Sequence, residues 1–252
     1  NNIHYCIFNS MKFEQLLHIV HTLPYFDLAT VVQMSGERRE SVVQQLYRFS
    51  RAGKIITLRR GMYTLSEQYR STPLQPAQLA NDLYRPSYIS ELWALSYHGM
   101  IPEGVKVFTS VTTRRPRTFR NALGEFRYRN VKRTMFFAYV PLQIMEHEVL
   151  LATPEKALVD LWYLSKGQWT LERMREMRFS AEAALDVKRL EALVKKVDRP
   201  RLYRALTVWR QVMSEQAGTG GRSCRSSWKS TPIHPGERMS SARWSTDMSP
   251  WL

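Results

Sequence analysis

Guanidinium and carboxamide side chains are the ones that read base edges in a DNA groove, since arginine pairs bidentately with guanine and glutamine with adenine. Arg38, Arg39, Ser41, Gln44, Gln45 and Arg48 fall together in one stretch, residues 35–65, which runs SGERRESVVQQLYRFSRAGKIITLRRGMYTL. Arg38, Arg39, Gln44 and Gln45 stand near the start of a predicted helix, where base readers belong. Arg48, Lys54, Arg59 and Arg60 suit phosphate oxygens, contacts that position a protein on the duplex without reading sequence.

A second basic concentration comprises Arg114, Arg115, Arg117, Arg120, Arg127, Arg129, Lys132 and Arg133. Between residues 105 and 140 these, with Lys106, meet one acidic residue, Glu125. Charge this lopsided points to a patch for DNA or for a partner protein, unless the side chains are scattered over both faces of a sheet.

Enzymatic chemistry finds less support. Glu155, Lys156 and Asp160 have the residue types of a metal-dependent nuclease, but they fall in one predicted helix, where Glu155 simply suits the positive end of the dipole. His98 stands alone. Glu146-His147-Glu148 lacks a further donor at metal spacing. No phosphate-binding loop, dinucleotide fingerprint or nucleophile elbow occurs. We therefore expect no catalytic residue, no metal and no cofactor.

The elements that must position the basic residues follow from periodicity. Phe13, Leu16, Leu17, Ile19, Val20 and Leu23 form an apolar stripe that ends at Pro24. Residues 26–34 read as a short helix capped by Asp27. Ser35 then reads as the N-cap of a third helix whose inner side is Val42, Val43, Leu46 and Phe49, stopped by Gly53. Residues 54–58 and 62–65 are strands about an Arg59-Arg60-Gly61 turn. Helix, short helix, helix and hairpin make the order of a winged helix-turn-helix over residues 11–70.

Two prolines within 69–77 mark a linker. Beyond it, residues 78–84 and 89–97 read as helices, the second capped by Ser87. Strands follow at 105–111, 117–119, 124–128 and 134–141. A long apolar helix opens at Thr153-Pro154, and further helices run to 214. Residues 76–214 are thus expected to form an α+β domain with a small, mainly antiparallel sheet and a helical C-terminal part.

Residues 1–10 lack a leading methionine and any period, so Met11 reads as a natural start. Residues 217–252 read as a disordered or read-through tail. With 252 residues, 44% hydrophobic and 12% aromatic, the chain can build a core, and its net charge of +15 favours a polyanionic partner. Cys6 and Cys224 are far apart and belong to no metal or disulfide pattern, which fits a reducing cytoplasm. Neither a membrane-spanning run nor a secretory signal is expected.

LYRPSYISELWALSYHGMIPE (83–103), FTSVTTRRPRTF (108–119), the strand at 124–128 and ATPEKALVDLWYL (152–164) occur in that order, and together they resemble the AbiEi family of antitoxins from type IV toxin–antitoxin systems. RRGMYTL (59–65) resembles the family's winged-helix ending, and the likeness spans roughly residues 13–213. The resemblance implies a bacterial, cytoplasmic phage-defence protein. Its winged helix would repress its own operon on inverted-repeat operator DNA, and its second domain would neutralise a nucleotidyltransferase-like toxin encoded nearby. It also marks Thr112, Thr113, Arg114, Arg115 and Pro116 as candidates for a functional patch. Trp93 departs from the smaller residue expected there. The alternatives are a stand-alone winged-helix regulator whose second domain senses a ligand or partner, and a nucleic-acid-processing enzyme.

Overall fold

A computed structural model describes residues 11–144, 147–180 and 185–219, with side chains to 216. The readings made for residues 1–10, Cys6, Glu146, Cys224 and the tail from 220 lie outside the described residues.

The chain opens with α1 (Phe13–Val20), β1 (Phe26–Asp27), α2 (Leu28–Ser35), α3 (Arg39–Arg51), β2 (Ile55–Arg59) and β3 (Met62–Leu65). Phe13, Leu16 and Val20 share the buried side of α1 at spacings of three and four, while Leu17, Ile19 and Leu23 are half-buried against the same core. Asp27 caps α2 as expected, its Oδ1 accepting the Thr30 amide at 2.8 Å. The helix does not reach back to Phe26, however. Phe26 and Asp27 pair with Tyr63 and Met62, adding a strand to the hairpin in the order β1-β3-β2.

Ser35 is the last residue of α2 rather than the cap of α3. Gly36 follows at φ +68°, the left-handed conformation that ends a helix, and Arg38 takes the N-cap place of α3 without a side-chain cap bond. Serine before glycine fits a helix end as well as a helix start, so its type alone does not decide.

The rest of the chain runs α4 (Pro76–Asp82), β4 (Ser87–Ile89), α5 (Glu91–Tyr97), β5 (Phe108–Thr112), β6 (Arg117–Asn121), β7 (Gly124–Asn130), β8 (Tyr139–Ile144), β9 (His147–Ala152), α6 (Pro154–Leu164), α7 (Leu171–Glu176), α8 (Val187–Val197) and α9 (Pro200–Thr219). The expected mixture of helices and strands is present, and three of the five strand pairings in the larger sheet are antiparallel, but the sheet is larger than expected and two of its pairings are parallel. It is a six-stranded mixed sheet, β6-β7-β5-β4-β9-β8, with β4 parallel to β9 and β5 parallel to β7. Strand direction follows from how the chain returns through the core, which local alternation cannot report. Ser87 lies in β4 and does not cap α5; its neighbours Tyr88 and Ile89 are fully buried.

Two apolar clusters result. The smaller joins α1, α2 and α3 to Ile55 and Leu65; the larger surrounds α6, in which residues 155–162 are all buried. The β2–β3 hairpin serves both. Residues three apart on a strand face opposite ways, and so Ile55 and Leu65 enter the smaller cluster while Leu58 and Met62 enter the larger. Asn121 of β6 fastens the seam, its Nδ2 donating to the Leu58 carbonyl at 3.1 Å. Tyr25 donates to Asp82, and Thr72 to the Thr22 carbonyl at 3.1 Å, across the same junction.

Candidate nucleic-acid interface

The inner side of α3 is Val42, Gln45 and Leu46, buried, with Phe49 half-buried behind them. Its outer side presents Arg38, Arg39, Gln44, Tyr47 and Arg48. Val43, expected inside, is 41% exposed, and Tyr47 is 65% exposed. Both belong to the outer face.

Two candidate readers are not on that face. Gln45 is 1% exposed and donates through Nε2 to Glu37 Oε2 at 2.7 Å and to Ser41 Oγ at 3.0 Å. Ser41 donates to the same Glu37 oxygen at 2.9 Å, and Glu37 Oε1 accepts the Met11 amide at 2.8 Å. Glu37 thereby ties the start of α1 to the first turns of α3, and it consumes Ser41 and Gln45 in doing so. The spacing held the clue: Gln45 is three after Val42 and four before Phe49, hence on the core side.

Among the phosphate candidates, Lys54 is half-buried with Nζ 4.5 Å from the centre of the Phe13 ring, a cation–π contact that holds it toward α1. Arg59 is half-buried and donates through Nη1 to the Arg60 carbonyl at 3.1 Å, while its Nε is buried without a partner. Arg60 is exposed at the hairpin tip. Between this tip, α2 and α3 runs a groove of about 550 Å³ lined by Arg39, Val43, Arg59, Arg60, Gly61 and Tyr63. Asp27 also lines it, but its Oδ1 is held by the Thr30 amide and hydroxyl. Three guanidinium side chains therefore border one groove, two from the hairpin and one from α3.

The second basic concentration is divided by the sheet. On β6 and β7, Arg117 pairs across from Tyr128, on the side of Phe126, while Arg120 and Arg127 lie on the other side. Glu125 takes both of the latter, Arg120 at 3.0 Å and Arg127 at 2.7 Å. Arg114 lies 4.4 Å over the Tyr84 ring and donates to the Arg85 carbonyl. Arg129 is half-buried, paired to Glu91 at 2.7 Å and donating to the Leu164 carbonyl. Thr112 is buried, its hydroxyl donating to the Pro86 carbonyl at 2.7 Å, and Thr113 is half-buried. Arg115, Pro116, Lys132 and Arg133 are exposed. Trp93 fits by stacking on Tyr97 and Phe108.

The nuclease-like residues form a core device instead. Lys156 and Asp160 are wholly buried and paired, and Asp160 Oδ2 accepts the hydroxyls of Tyr88 at 2.9 Å and Ser90 at 2.8 Å. Burial pushes the Asp160 carboxyl up and the Lys156 amine down, against their mutual attraction. Glu155 accepts the Asp186 amide at 3.1 Å, holding the start of α8. His98 Nε2 bonds the Ala152 carbonyl at 2.8 Å. Glu91, missed in the sequence, sits at φ +53° beside this network, with Oε1 buried and unpartnered. Burial first, and then the Asp160 charge, push its carboxyl up to about 7, against the opposing pull of Arg129 and Arg127.

Among the described residues, no group of three or more His, Cys, Asp or Glu is placed to hold a metal, and no helix is long and apolar enough to cross a membrane. Compared with models of known families and with curated proteins, the chain matches none.

Proposed function

We propose that the chain is a cytoplasmic winged-helix repressor that binds operator DNA with α3 and the β2–β3 hairpin, and that it also acts as the antitoxin of a nucleotidyltransferase-like toxin. One observation carries the DNA reading: the groove in which Arg39 of α3 faces Arg59 and Arg60 of the hairpin, beside an outer helix face bearing Arg38, Gln44 and Arg48. A helix of this kind enters a major groove while the hairpin lies along the phosphates. The antitoxin limb is supported by the motifs between residues 83 and 164 alone.

The DNA surface makes two separable kinds of contact. Arg39→Ala is expected to cost operator binding about 1–3 kcal/mol and to relax preference at particular base pairs. Arg60→Ala should weaken specific and random duplexes alike and reduce the slope of log affinity against log salt by about one. A gel-shift titration over a salt series checks both, and an unchanged slope would remove Arg60 from the interface. Gln45→Ala, by contrast, should act on stability through Glu37. Co-expression with the adjacent toxin gene, scored by growth, tests the antitoxin limb, and absence of rescue by the intact chain would reject it.

A further inference from the structure

Between the loop that leaves α6 and the first turns of α9 lies a cavity of about 560 Å³, a size ordinary for a small-molecule site. Gln168, Trp169, Arg201, Tyr203, Arg204 and Val208 are among the residues that line it. Arg173 of α7 lays its guanidinium 4.1 Å from the centre of the Trp169 ring. Two cations, Arg201 and Arg204, thus line one hollow beside an aromatic wall, with Arg173 stacked on the Trp169 ring of that wall.

Their protein partners are neutral. Arg173 Nη1 donates to the carbonyls of Lys166 at 2.8 Å and Gln168 at 3.3 Å. Arg201 Nη2 donates to the carbonyls of Ser165 and, at 2.7 Å, Gly167. Arg204 Nε reaches only the Pro200 carbonyl one turn back, at 3.4 Å. Among the described residues no carboxylate forms an ion pair with any of the three. Asp198 accepts from the Tyr203 hydroxyl at 3.2 Å.

Capping of the loop carbonyls accounts for Arg173 Nη1 and Arg201 Nη2. It leaves Arg201 Nε buried without a partner and the terminal nitrogens of Arg204 uncommitted. The electrostatics are also unbalanced. Burial, and then repulsion from Arg173 and Arg204, lower the Arg201 pKa. Arg201 and Arg204 stand at the N-terminal end of a 20-residue helix with no acidic residue in its first turn, where cations oppose the dipole. An anion in the cavity would meet the terminal nitrogens of Arg204 and offset both the repulsion among the guanidiniums and the unfavourable dipole.

We propose that this cavity binds a phosphorylated small molecule, specifically a nucleotide, whose phosphates meet Arg201 and Arg204 and whose planar base packs along Tyr203 and Val208. Planar, forked guanidinium donors match phosphate oxygens, and the hollow is larger than inorganic phosphate needs. The site is separate from the α3 groove and independent of the DNA reading.

The test uses the full chain at physiological salt without divalent metal, titrated calorimetrically with ATP, pyrophosphate and adenosine. ATP should bind saturably and more tightly than pyrophosphate, and adenosine should not bind. Arg204→Gln, an exposed change that costs the fold only one bond within its own helix, should weaken ATP about tenfold, as should Arg201→Gln. Arg60→Ala should leave ATP binding intact. Absence of saturable binding, or equal ATP affinity in Arg204→Gln and the parent chain, overturns the proposal. So does loss of ATP binding in Arg60→Ala, which would put the phosphates in the α3 groove. A duplex oligonucleotide that displaces ATP and is itself weakened by Arg204→Gln would assign the cavity to a nucleic-acid backbone, against a free nucleotide.

Discussion

Asp160→Ala is expected to lower the free energy of unfolding by about 3–5 kcal/mol, a large part of what a domain of ordinary stability possesses. The change removes the ion-pair partner that Lys156, whose side chain is wholly buried, has among the described residues, and frees the hydroxyls of Tyr88 and Ser90 that also bind that carboxylate. An uncompensated ammonium in the interior costs more than the ion pair contributes, so the pair is better removed whole. Lys156→Met combined with Asp160→Leu should recover the part of the loss due to the unpaired ammonium, leaving the cost of the two hydroxyls that have lost their acceptor. Urea denaturation of the three proteins decides it. A loss below about 1 kcal/mol for Asp160→Ala would mean that water reaches the site or that Lys156 is already neutral in the folded chain.

The second large effect is on pH dependence, through Glu91. Its carboxyl titrates near 7 in the folded chain against an ordinary 4.5. Between those values the folded state keeps a proton that the unfolded state has released. Stability from this group is therefore complete below pH 4.5 and is lost as pH rises through 7, a change of about 3 kcal/mol across the window. At 3% exposure solvent screens little of it. Glu91→Gln keeps an acceptor for Arg129 and cannot ionise, so the difference in urea midpoint between parent and variant should vary across pH 5 to 8. A difference that stays constant over that range would place the Glu91 titration elsewhere.

The local signals in the sequence were the ones with local causes. Thr153-Pro154 opens α6, and Arg60-Gly61 turns the hairpin, because a cap and a tight turn are decided within a few residues. Strands β1 and β4 were missed because their two and three residues are too few for alternation to register. The period of α3 placed Arg39, Gln44 and Arg48 outside correctly, but Val43 was expected inside and Ser41 and Gln45 outside. Counting Gln45 as three after Val42 and four before Phe49 puts it inside. The fate of the second basic concentration was not legible, since whether Arg120, Arg127 and Arg129 face solvent depends on β6 and β7 pairing and on Glu91, 38 residues away from Arg129. The arginine-lined cavity was hidden for the same reason: it joins a loop near 168 to a helix that starts at Pro200.

The hairpin that lies between the two clusters also bears on how such chains could be shuffled. A regulator whose first seventy residues formed a free-standing cassette could acquire a new operator by exchanging that cassette alone. Here the exchange would strip Leu58 and Met62 of the packing they share with the larger cluster and would leave the Leu58 carbonyl without Asn121. On the proposed DNA reading, an incoming cassette must therefore match β6 as well as its operator. Under that reading, inheritance of target specificity is coupled to one edge strand, and chimeras should fold only where that strand travels with the hairpin.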